Sequence, residues 1–320
     1  MQNIKKIFFI LFLSGIIHVV HAQADKGKQD ITVYTFQDND VLRFNNRTDQ
    51  FYSFGIIAGF NKAIIAESKV NRLFFAPKLG FMEKRIAGFE MALKGYTPEF
   101  ERNEKLEEIR PFAGTLTVAL NLSEVNKNQL LRYNFLLGVR GPSSGAQWVQ
   151  DNFHELIGSP IFTGWENQLP DKFVFMGEVL FVQQIPVTPY FQVIPQGSLA
   201  LGNYRTHAEP SLMFKFGKSL PLNESMLFGM PLSKSRKSTE LFFTARFYGR
   251  GILSDSTLSD DRDLLNQLTD LSKARLQAGF ELRINVRYRN IGLFFARQRH
   301  SRDSNFTGAH SFGTFGIIIG

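Results

Sequence analysis

Arg275-Leu276-Gln277-Ala278-Gly279-Phe280-Glu281-Leu282-Arg283-Ile284-Asn285-Val286-Arg287 alternates polar and apolar residues without a break. A strand turns successive side chains to opposite faces, so Leu276, Phe280, Leu282, Ile284 and Val286 share one face. Arg275, Gln277, Glu281, Arg283, Asn285 and Arg287 share the other. Helical spacing would scatter both sets around the axis. At strand rise the stretch spans about 40 Å. Glu240 to Gly251 repeats the pattern, with Phe242 and Tyr248 as exceptions on the polar phase. Phe51 to Phe60 does so with Ser53, Gly55 and Gly59 against Tyr52, Phe54, Ile56, Ala58 and Phe60.

Such strands permit a soluble sandwich, with the apolar phase in a shared core, or an outer-membrane barrel, with that phase against lipid. Sandwich strands run about 5–6 residues, whereas a tilted membrane strand needs about 9–11. Most segments here reach the longer range. Twelve are expected, over 29–41, 51–60, 85–96, 110–124, 129–140, 172–185, 189–202, 206–217, 240–253, 274–287, 289–299 and 308–319. The expected fold is therefore an all-β, 12-stranded antiparallel transmembrane barrel. Met1 to Ala22 reads as a secretory signal: Lys5 and Lys6 lead an apolar run that ends in the small-residue site Val20-His21-Ala22. Residues 23–320 then form one outer-membrane barrel domain.

The composition fits that reading. The chain has 320 residues, 33 of them Phe, yet a mean hydropathy of only −0.12. Lipid-facing Phe interleaved with polar lumen residues produces both numbers. The absence of cysteine excludes a disulfide scaffold, a thiolate zinc site, a Cys nucleophile and a lipidated Cys anchor. The formal charge of +8 does not call for a nucleic-acid partner, because Arg246, Arg250, Arg275, Arg283 and Arg287 fall on the lumen phase beside Glu240 and Glu281.

With both chain ends in the periplasm, odd-numbered connections are extracellular. The longest, 141–171, lies outside. Two periplasmic connections, Asn61–Lys84 and Lys218–Thr239, are too long for the rule; the first is expected to lengthen its flanking strands. Within 141–171, Ser143 to Gly158 reads as a short helix over the rim, capped by Ser143 or Ser144 and ended by Gly158 and Pro160. Gln150 and His154, four apart, share one face. Asp38-Asn39-Asp40, Thr48 to Gly55, Tyr96-Thr97-Pro98 and Arg110 to Gly114 converge on the same rim. A neutral imidazole can take a proton from water, and Asn39 and Asp40 offer the hard oxygen ligands that calcium prefers. Taken singly, each feature has a plain structural reading: a structural His154, rim charges at Asp38 and Asp40, a small filler at Ser53, turn residues at the prolines.

Taken in order, these segments resemble the outer-membrane lipid A deacylases of the LpxR type. The likeness rests on Asn39-Asp40 before Tyr52 to Gly55, then Tyr96-Thr97-Pro98, Arg110-Pro111-Phe112-Ala113-Gly114 and Gly141-Pro142. It continues with Gln150-x-x-x-His154, Gly164-Trp165 with Gln168-Leu169, and Gly202-Asn203 before Thr206. The resemblance implies a twelve-stranded barrel and calcium-dependent hydrolysis of the 3′-linked acyloxyacyl ester of lipid A, a carboxylic ester hydrolase acting on lipopolysaccharide. It implies His154 as the base that activates water, Asn39 and Asp40 as calcium ligands or carbonyl polarisers, and Ser53 as the family's Ser/Thr. Gln150 is expected to position His154. A basic residue assisting the oxyanion is Arg102 or Lys105, and Glu155 or Glu166 is the substitute for a further acidic residue that the family carries shortly after the His. A monomer in outer-membrane lipid is expected. The chain lacks the terminal aromatic that many such barrels carry. Two readings compete: a non-catalytic barrel (a channel, or a structural or binding protein) and an esterase acting on phospholipid.

Overall fold

A computed structural model describes residues 31–39, 52–64, 83–98, 110–159, 161–232, 239–258, 275–301 and 309–320. The expected signal segment 1–22 lies outside them, as do Asp40, Arg102 and Lys105. Twelve strands follow in chain order: β1 Ile31–Asn39, β2 Phe54–Ile64, β3 Lys84–Tyr96, β4 Ala113–Val125, β5 Gln129–Arg140 and β6 Lys172–Gln183. They continue with β7 Phe191–Gly202, β8 Arg205–Lys218, β9 Thr239–Asp255, β10 Arg275–Tyr288, β11 Ile291–His300 and β12 His310–Ile319. The segment Ile185–Thr188 prolongs β6 after an interruption at Gln184 and pairs with the start of β7.

Each strand pairs antiparallel with the next, and β12 returns to β1 in the register Val33↔Ile319 to Asn39↔Gly313. The sheet is closed, so no edge remains to be satisfied in lipid. Among the described residues a single α-helix is present, and no helix is long and apolar enough to cross a membrane.

Burial separates the two readings of the alternation. In β10 the apolar phase is the accessible one: Leu276 is 85% exposed, while Asn285 is 0% and Arg287 2%. A soluble sandwich would invert these values. Phe135, Phe173, Phe181 and Phe247 are likewise exposed on the outer face. The two exceptions in β9 are lumen residues. Tyr248 lies between the guanidiniums of Arg246 and Arg250, at 5.1 and 5.3 Å from its ring centre, and Phe242 belongs to an apolar core inside the barrel. Paired charge fills the middle of the lumen, with Arg246 and Arg250 both on Glu209.

The two overlong connections resolve differently. β2 runs on to Ile64, which shortens the first as expected; residues 65–82 lie outside the described set. The second, after β8, turns inward, with Leu222, Met226, Met230 and Leu232 buried inside the barrel. At the opposite end of the barrel from the start of β1 and the end of β12, the 141–171 connection carries α1, Ala146–Ile157.

Candidate active site between the wall and the loop helix

α1 is shorter than the expected Ser143–Gly158, and its start is built otherwise. Pro142–Ser144 form a 3-10 turn, and Gly145, in the left-handed region at φ 73, is the N-cap. Neither serine caps the helix in the usual way. The Ser144 hydroxyl donates to Gly141 O at 2.7 Å and accepts from Ala146 N at 3.3 Å. Ser143 reaches across the loop, donating N–H and O–H to Asp171 at 2.8 and 2.6 Å. These two bonds, the hydroxyl foremost, hold the Asp171 carboxyl below the ordinary range. At the far end Gly158 (φ 70) donates to His154 O, a standard left-handed termination.

Ala146, Gln150 and His154 recur every four residues and are the buried residues of α1. They do not look into the lumen mouth. Asp38, on the lumen phase of β1, accepts from Tyr52 at 2.6 Å and Thr314 at 2.8 Å; its neighbour Asn39 therefore falls on the outer phase. Asn39 pairs in register with Phe54. Phe54 packs with Phe112, Ala146 and Trp165, joined by Leu93, Val149 and Phe162. Gly114, on the outer phase of β4, lets the loop approach: a Cβ there would lie 2.7 Å from the Ala146 Cβ. The helix thus lies on the outer face of the wall, over the ends of β2 to β4, instead of over the lumen.

Five hydrogen bonds hold the loop in place. Gly141 N donates to Gly114 O at 2.8 Å and Leu169 N to Phe112 O at 2.9 Å. The Arg140 guanidinium donates to Pro170 O at 2.9 Å and Ser256 O at 2.8 Å. The Trp165 indole, 0% exposed, donates to Gln150 Oε1 at 2.9 Å. Gln150 therefore braces α1 against the loop, and the pairing with Trp165 is what the four-residue spacing to His154 does not reveal.

The predicted residues come together in part. The His154 ring lies 5.1 Å from the Phe162 ring, Phe162 packs in the cluster containing Phe54, and Ser53 and Asn39 adjoin Phe54 along and across the strands. Ser53 does not continue the alternation of β2, which begins only at Phe54; Tyr52 before it turns into the lumen. The Ser53 hydroxyl bonds that of Thr97 at 2.6 Å, so the Tyr-Thr-Pro element is more than a turn.

A second group, on the lumen side, is a structural latch. Tyr52 packs on Tyr96 and Phe312, at 5.2 and 4.9 Å between ring centres. Burial, with the Asp38 charge, pushes the Tyr52 phenol well up, so it remains the donor to Asp38. Arg110 lies 4.4 Å above the Tyr96 ring and donates to Thr257 at 2.8 Å. Asp255 accepts from Thr257 Oγ1 at 2.7 Å and pairs with Arg205 at 2.6 Å. Asp38 is thus a latch residue and not part of the wall-side cluster.

Comparison with known proteins bears on the family and the fold. Residues 7–319 match the family model described as "Outer membrane protein LpxR". LpxR from Salmonella typhimurium superposes with a TM-score of 0.69 at 14% identity, over 90% of this chain and 99% of that one. The β-domain of the Bordetella autotransporter Brka is also similar, at TM-score 0.48 and 9% identity, over 91% and 98% of the two chains. No curated protein matches the chain.

Proposed function

The chain belongs to the LpxR family of outer-membrane proteins, and from that membership we propose that it is a lipid A deacylase hydrolysing the 3′-linked acyloxyacyl ester. The observation that carries the reading is the placement of the helix bearing His154 and Gln150 on the outer face of the barrel wall, packed through Ala146 and Phe162 on the cluster around Phe54, the residue that adjoins Asn39 and Ser53. A passive pore gains nothing from such a cluster outside its lumen. A membrane-lipid hydrolase needs its catalytic groups there, where an acyl chain can enter sideways from the outer leaflet. With both chain ends in the periplasm, α1 faces the cell exterior, the leaflet that holds lipopolysaccharide.

In this reading the His154 imidazole takes a proton from water as the water oxygen attacks the ester carbonyl. The proton then passes to the departing 3′ oxygen, leaving a free fatty acid and a hydroxyl on the sugar. Asn39 polarises the carbonyl, and Arg102 or Lys105 supports the oxyanion. The donors fit a hard cation in kind: Asn39, Ser53 and Thr97 offer neutral oxygens, and Asp40, next in the chain to Asn39, would add the carboxylate. Among the described residues no three His, Asp or Glu converge as a metal cluster. Asn39 and Asp40 would hold calcium, which when bound supplies positive charge to the developing oxyanion.

The test is lipid A incubated with purified protein, with calcium or with a chelator, and read by mass spectrometry. Loss of the mass of the 3′ acyloxyacyl group, abolished in His154→Ala, is expected. Intact lipid A with the wild-type chain overturns the substrate, and unchanged turnover in His154→Ala overturns the base.

A further inference from the structure

The connection between β8 and β9 is too long for a periplasmic turn, and it does not hang in water. We propose that residues 219–232 are a built-in plug, which seals the barrel at the end where β1 starts and β12 finishes and makes it non-conducting.

A buried loop must satisfy its own backbone, and this one does so from all sides. Leu222 N donates to Lys127 O at 3.0 Å, and Leu232 N to Thr32 Oγ1 at 2.7 Å. Its carbonyls receive side chains from across the lumen. Asn61 donates to Gly229 O at 2.7 Å, Arg132 to Phe228 O at 2.7 Å and Arg287 to Glu224 O at 2.6 Å. Lys84 reaches Asn223 O at 3.4 Å. The buried Glu240 carboxylate accepts from Leu220 N at 3.1 Å, Ser225 Oγ at 2.7 Å and Met226 N at 2.9 Å, with Arg287 at 3.3 Å.

The apolar side is equally complete. Leu222, Met226, Leu227, Met230 and Leu232 form one cluster with lumen residues that include Val125, Val182, Ile194, Met213, Phe294 and Ile318. Polar anchors and apolar contacts together draw on all twelve strands. A segment held by the whole circumference is a cross-sectional closure and not a loop resting on one wall. Phe242, the apolar exception on the polar phase of β9, faces this segment as part of the same core.

The native chain has no cysteine, so single-cysteine labelling reports on the plug directly. Lys127→Cys, on an exposed turn at the same end, should react freely with a membrane-impermeant maleimide. Leu227→Cys, and Leu222→Cys should the first fail to fold, should react at least about 100-fold more slowly until denatured. Folding is checked by heat-modifiable gel migration. In planar bilayers the wild-type protein should give no conductance steps. Equal labelling of plug and turn positions, or open-channel steps from the wild type, overturns the proposal. Neither readout involves lipid A, so failure here leaves the deacylase reading untouched.

Discussion

The bond from Trp165 to Gln150 can be dissected by a double-mutant cycle. Gln150→Leu removes the acceptor 2.9 Å from an indole that has no access to solvent. An orphaned buried N–H costs about 1–3 kcal/mol. Because the bond joins α1 to the rest of its loop, that cost falls on helix docking, raising the undocked population by roughly 5- to 150-fold. Trp165→Phe orphans the Gln150 oxygen and opens a small void, at a similar cost. The double variant leaves two apolar side chains facing each other, so its loss should fall short of the sum by about 1–2 kcal/mol. The assays are hydrogen exchange of the α1 amides and turnover of lipid A. Each single variant should accelerate exchange and depress turnover together, and the double should recover part of both. Loss of turnover in Gln150→Leu with unchanged exchange, undiminished in the double, would refute the brace and place Gln150 on the substrate.

Three shorter predictions accompany it. His154→Asn keeps the barrel's heat-modifiable migration and lowers turnover by about 10²–10⁴-fold; a loss below tenfold would contradict a base role. Gly114→Val drives a side chain into the space of Ala146, overpacking the dock by about 1–3 kcal/mol, so α1 exchange should rise while barrel stability holds. The Asp171 carboxyl, held below its ordinary value of 3.8 by Ser143, steadies the start of the loop fully above that pH and releases it as pH falls through the lowered value. Its effect is small because the group is exposed. Exchange near Ser143 should therefore be flat from pH 5 to 8 once corrected for intrinsic rates, and Asp171→Asn should abolish the acid response.

The strand pattern was legible because period-two alternation is local. The expected 129–140 and the observed β5 coincide, and β10 differs from 274–287 by a single residue at each end. The exceptions were legible as exceptions only. Phe242 breaks the polar phase for a reason lying elsewhere in the chain, the inward-turned segment 219–232, whereas Tyr248 does so to lie between two arginines of its own strand, Arg246 and Arg250. The excess length after β8 was visible, but not its direction. The tie of Asn61 to Gly229 crosses 168 positions, and that of Leu232 to Thr32 crosses 200; no spacing within either segment announces such partners.

The candidate site divides along the same line. Asn39, Ser53, Gln150 and His154 could be named as a set from their order, and Thr97 and Trp165 lay in motifs already noted without a role. Which side of the wall the set occupies was beyond the pattern, since a helix drawn over the rim and one laid on the outer face have the same amphipathic stripe. The sequence by itself determined that the chain is built of twelve long alternating strands, the length of which favours a barrel with its Phe toward lipid, because alternation and strand length are properties of consecutive residues. Only the tertiary structure decided that the helix carrying Gln150 and His154 lies on the outer face of the wall and that the connection after β8 folds into the lumen. Both depend on where loops dock, and docking is settled by packing and hydrogen bonds between residues far apart in the chain.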